Sequence, residues 1–94
     1  LSAAILAHQL LQDILQPGYE TTDATDDVWS RIGNFRRVIN RSRSTSGLKT
    51  TTSYIDNALH KLVEVAGWVR LGNNAIAGER ATEALIWFQA GAHE

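Results

Sequence analysis

The chain has 94 residues, no cysteine and a formal net charge of −1 at pH 7. That length makes one domain, near the lower end of sizes that bury a core without staples; the missing cysteine excludes disulfides, zinc–thiolate sites and thiol nucleophiles. The charge is unevenly placed: Asp13, Glu20, Asp23, Asp26 and Asp27 make the early segment acidic. No carboxylate falls between Val28 and Ile55, where Arg31, Arg36, Arg37, Arg41, Arg43 and Lys49 supply six of the nine cations.

The first predicted element is a helix from Ser2 to about Leu15, with Ala3, Leu6, Ala7, Leu10, Leu11 and Ile14 on a wide apolar face and Ser2 as N-cap. Its apolar content invites comparison with a signal peptide, but a positive leading segment is lacking. Nor does any run reach the eighteen or so apolar residues of a membrane span. With no cysteine and no such span, an intracellular, cytoplasmic protein is the expectation. The absence of methionine predicts a chain trimmed from a longer product. Pro17 and Gly18 stop the first helix.

After a polar connection, Asp23 or Thr25 opens a second helix, with Asp26 and Asp27 at its positive end. Val28, Ile32, Phe35 and Ile39 give the apolar stripe at spacings of four, three and four. Arg36, Arg37 and Arg41 then gather towards the negative end. The stretch from Ser42 to Thr52 is Ser/Thr/Arg-rich, and its composition predicts a mobile loop at 42–52.

A third helix follows from Ser53 to Leu71. Ile55, Leu59, Leu62, Ala66 and Val69 form its buried stripe, widened by Ala58 and Val65. Ser53 with Asp56 reads as a capping box, and Gly72 as a left-handed stop. The short turn Gly72-Asn73-Asn74 makes the fourth helix, from near Asn74 to near Gly91, an antiparallel neighbour. Its stripe of mostly small residues, Ala77, Ala81, Ala84 and Phe88, predicts close approach to the third helix.

Four amphipathic segments with repeated four–three spacing predict an all-α fold. The arrangement expected is an antiparallel four-helix bundle forming a single domain over 1–94. The alternative is a pair of helical hairpins that complete their core by dimerisation. Ile5, Leu15 and Ile86 fall outside the main stripes, so a homo-oligomer, most simply a dimer, is expected.

Several chemistries lack their signature. There is no phosphate loop, no dinucleotide fingerprint, no His-Glu-x-x-His and no Glu-x-x-His pair. The turn between the third and fourth helices also lacks the small residue expected in a helix-turn-helix. No catalytic residue, metal site or cofactor is therefore assigned, and a non-enzymatic module is expected. Asp56, His60 and Glu64 do share one helix face at spacings of four, which suits metal ligation or acid–base work. A solvated face of side-chain pairs is the stronger reading. Trp29, Trp68 and Trp87 are read mainly as core or half-core; Trp68, at the edge of its stripe beside Gly67, is the candidate exposed aromatic contact.

The basic segment carries the functional expectation. Arg31, Arg36, Arg37, Arg41, Arg43 and Lys49 suit phosphate contacts on nucleic acid, with the loop ordering on binding. They equally suit docking on an acidic protein surface, or mere balance of the acidic helix start. Phosphorylation within Arg41-Ser42-Arg43-Ser44 would reverse the local charge. A nucleic-acid-binding module is preferred, an oligomeric assembly protein is the rival, and a small-ligand-binding helical protein comes third. Leu62–Val69 and Glu83–Trp87 resemble the terminal helical hairpin of phage proteins that sequester cyclic-nucleotide signals. That resemblance covers less than half the chain and lacks the arginine–glutamate pair at the start of the last helix, so no family is assigned from it.

Overall fold

A computed structural model describes residues 2–19, 23–46 and 52–92, with side chains for 3–19, 23–41 and 54–90. Helix α1 (Ser2–Ile14) stops where Pro17 and Gly18 require it. The Tyr19 amide donates to the Gln16 carbonyl at 3.3 Å, and Gly18 has φ +91°. Proline followed by a positive-φ glycine inside a closed four-residue turn is the type II arrangement.

Helix α2 (Ala24–Ser46) is longer than the sequence reading made it. A loop was expected from Ser42, yet residues 42–46 are helical. Arginine is a good helix former, and serine and threonine cost only about 0.5 kcal/mol each relative to alanine. With no glycine or proline between Ser42 and Ser46, nothing in that run breaks the helix. Residues 47–51, the remainder of the expected loop, lie outside the described residues.

Helix α3 (Thr52–Arg70) starts one residue ahead of the expected cap. The Ser53 side chain, half of the expected capping box, is outside the described ones. At the far end Gly72 takes φ +77°. Its amide donates to the Val69 carbonyl at 3.0 Å, and the Asn73 amide to the Trp68 carbonyl at 2.9 Å. This is the paired bonding of a Schellman stop. Asn73 then serves as N-cap of α4 (Asn74–Ala92), its Oδ1 accepting from the Ile76 amide at 3.2 Å.

The four helices form an antiparallel bundle in which each touches its sequence neighbours and α1 closes the ring onto α4. Contact is most extensive between α3 and α4, as the fully buried Ala77, Ala81 and Ala84 allow. It is least extensive between α1 and α2. Across the diagonal, Phe35 of α2 stacks on Phe88 of α4 with parallel rings 5.4 Å apart. Centroids that far apart with parallel planes mean an offset stack, the arrangement that ring quadrupoles favour. Leu10, Ile14, Ile32, Leu62 and Val65 fill the rest of the centre. One chain therefore closes its own core, and the alternative of hairpins needing a partner to finish it is not this protein's arrangement.

Candidate nucleic-acid interface

Arg31 faces α1. Its Nη2 meets Asp13 Oδ2 at 2.5 Å and its Nε meets Asp27 Oδ2 at 2.9 Å. The Tyr19 hydroxyl donates to the same Asp27 oxygen at 2.6 Å. Burial works against the Arg31 charge, but the Asp13 hydrogen bond and the two carboxylate charges outweigh it and raise the pKa. Burial first, then the bond to Asp27, pushes the Tyr19 phenol well above its ordinary range. The network pins the turn at Tyr19 and both helices together. Arg31, expected among the phosphate-binding residues, is thus committed to carboxylates, because it lies on the α1 side of α2 with acids from two elements around it.

Arg36, Arg37 and Arg41 are exposed on α2. Neither Arg36 nor Arg37 makes a hydrogen bond or ion pair among the described residues, while Arg41 does have a partner interaction. Arg43 lies on the helical continuation of α2, with its side chain outside the described ones, and Lys49 lies outside the described residues altogether. The helical extension also changes what holds these arginines. Position 41 belongs to a regular helix rather than to the edge of a loop, so its backbone is fixed before any ligand arrives.

Among the tryptophans, Trp29 is the surface residue, 48 % exposed. Trp68 is half-buried and packs against the core, as does Trp87, whose ring lies on Tyr54 at 5.5 Å. The sequence reading preferred Trp68 as the exposed aromatic and missed Trp29. The available signal was spacing: Trp29, Gly33, Arg36 and Asn40 are separated by four, three and four residues, a second stripe running beside the apolar one.

Four charges on the α3–α4 side, Lys61, Glu64, Arg80 and Glu83, are mutually engaged. Lys61 Nζ lies 3.0 Å from Glu83 and 3.3 Å from Glu64, and Arg80 lies 2.6 Å from Glu83. The hydrogen bonds that Lys61 donates to Glu83 and then to Glu64 raise its pKa. The Lys61 bond likewise lowers that of Glu83. Glu64 thus lies between two cations, Lys61 and, 3.9 Å away, Arg80. No group of three or more potential ligands suited to a metal ion occurs among the described residues.

Between the loosely apposed α1 and α2 runs a cleft of about 420 Å³, lined by Leu6, Gln9, Asp13, Arg31 and Asn34 over Phe35. No helix among the described residues is long and apolar enough to cross a membrane. No protein-family model, curated protein or solved structure matches the chain.

Proposed function

We propose that this protein is a small helical module that binds nucleic acid through the exposed arginines of α2, with Arg36 and Arg37 at the centre of the contact. One observation carries the reading. Arg31, Lys61 and Arg80 are each held by carboxylates, whereas Arg36 and Arg37, like Arg70 of α3, are exposed and unpaired among the described residues, and of these only Arg36 and Arg37 are set in a run free of acids.

Two structural reasons for those arginines lose force on the distances. Arg36 stands nine residues beyond Asp27, about 14 Å along the axis, which exceeds the roughly 8 Å screening length at physiological salt. Balance of the acidic helix start therefore falls to Arg31. The helix end is as far away: Arg37 lies nine residues before Ser46, well outside the last turn where the helix dipole stabilises a cation.

Fluorescence anisotropy with a labelled oligonucleotide and, separately, a labelled acidic peptide tests the reading. The wild type binds the oligonucleotide and loses it when Arg36, Arg37 and Arg41 become glutamine, with the helical circular dichroism unchanged. Binding of the acidic peptide alone would transfer these arginines to a protein partner.

A second reading, association of two copies, is favoured by a different surface. Ile5 of α1, Leu15 just past its end and Ile86 of α4 are 63 %, 62 % and 58 % exposed. The charged residues of those helices are mostly turned elsewhere: Asp13 to α2, and Arg80 and Glu83 to α3. Glu79 is the exception. A nearly uncharged face is one that a two-fold copy meets without like-charge repulsion.

A further inference from the structure

We infer that the nucleic acid is single-stranded and that one of its bases stacks on Trp29; this inference rests on the nucleic-acid reading above and names its substrate class. Trp29, Gly33, Arg36 and Asn40 lie on one stripe of α2. Arg31 and Asp27 mark the side of that helix turned to α1. By helical spacing, the stripe therefore lies on the other side, towards α3. There the exposed Val63 and Arg70 of α3 fall on the face opposite the residues that meet α4. The stripe thus carries an open aromatic ring, a cation and an amide on the side of α2 turned to α3, whose exposed Arg70 is a further cation and whose Asp56, seven residues before Val63 on the same line, is an engaged carboxylate.

Gly33 is the second, independent observation. It is exposed, within a regular helix, and a Cβ built on it has nothing within 4 Å. Its φ is not among the positive ones, which belong to Gly18 and Gly72. Neither packing nor backbone geometry calls for glycine there, and glycine weakens a helix interior. What its missing side chain does provide is a gap between Trp29 and Arg36, through which a sugar–phosphate backbone can lie against the helix.

Arg36 is seven residues from Trp29, about 10 Å along the axis. A base on the indole and the phosphate of a following nucleotide at Arg36 then belong to one short stretch of strand. A duplex offers the indole no such surface, because it exposes base edges and phosphates while the flat faces are stacked on one another inside it. A single strand exposes the flat face of every base, and stacking on an aromatic side chain is tolerant of sequence.

The test compares a short oligothymidylate with a duplex of the same length, using wild-type protein, Trp29→Leu, Trp29→Phe, Gly33→Ala and Arg36→Gln. The wild type is expected to bind the single strand more tightly than the duplex, with quenching of tryptophan fluorescence. Trp29→Leu should weaken single-strand binding roughly tenfold or more and leave its salt dependence unchanged; Trp29→Phe should restore part of the loss. Gly33→Ala should weaken binding while leaving the fold intact. Arg36→Gln should instead flatten the salt dependence. Equal affinity for strand and duplex, or a Trp29→Leu variant that binds as the wild type does, overturns the stacking inference even if the arginines still bind nucleic acid. Binding of neither probe overturns both readings together, and loss on Trp29→Leu of acidic-peptide binding alone overturns them in favour of a protein partner.

Discussion

Arg31 and Arg36 stand five residues apart on α2, about 140° apart around the helix, and that rotation separates two kinds of arginine. Arg31 turns to α1 and is held by Asp13 and Asp27. Arg36 turns outward with no carboxylate partner among the described residues. The first is expected to matter for stability and the second for binding. Arg31→Gln leaves two half-exposed carboxylates without their shared cation and, with solvent screening the charges, should cost about 1 kcal/mol. Arg36→Gln should stay within about 0.5 kcal/mol of wild type. Urea denaturation of the two variants measures the contrast.

The Tyr19–Asp27 bond predicts an alkaline limit to stability. The folded state raises the Tyr19 pKa above its unfolded value of 10.0. The stabilisation is therefore complete below pH 10.0 and is lost as pH rises from there towards the folded pKa. Lys61, also raised, acts in the same direction above 10.5. Thermal melts between neutral and strongly alkaline pH should show the loss, and Tyr19→Phe should make it shallower. On the acid side, Glu83 has a lowered pKa, so its contribution is present above the ordinary carboxylate value and fades as pH falls through the folded one.

The glycines predict substitutions of opposite sign. Gly33→Ala meets nothing within 4 Å and should stabilise the helix by up to about 1 kcal/mol. Gly72→Ala would force a Cβ into a backbone of φ +77° and should destabilise by about 1–2 kcal/mol. In the core, Leu62 is fully buried, so Leu62→Ala should cost about 2–5 kcal/mol. Chemical denaturation of the three variants checks both signs and the ranking.

The four buried stripes were legible because their spacing is a property of the chain alone. Val28, Ile32, Phe35 and Ile39 are all buried as read, and so are Ala77, Ala81, Ala84 and Phe88. The stops at Pro17–Gly18 and Gly72 were legible because each depends on one residue's backbone. The end of α2 was not: a Ser/Thr/Arg run resembles a loop in composition, yet carries no breaker before Gly47. The role of Arg31 was hidden for a different reason. Its partner Asp13 lies 18 positions away, and only the packing of α1 against α2 brings the two together. The exposure of Trp29 is not legible in the sequence, because exposure at the edge of a stripe depends on how its neighbours pack, which spacing does not report.

Association of two copies predicts a concentration-dependent mass. Sedimentation equilibrium should show a dimer at high micromolar concentration, returned to monomer by Ile5→Asp with Ile86→Asp. Both side chains are more than half exposed, so the variant should keep its helical signal. A strictly monomeric wild type would contradict this second reading and leave the first untouched.

Contact between the α2 arginines and phosphates is read from the slope of log affinity against log salt. Each phosphate contact on a single strand contributes about −0.7 to that slope through counterion release. With contacts from Arg36, Arg37 and Arg41, the account predicts a slope of about −2 for a short single-stranded oligonucleotide. Each arginine-to-glutamine change should then flatten it by about 0.7, whatever the base sequence. A slope near zero, or one unchanged when all three arginines are replaced in a protein that still folds, would contradict the account.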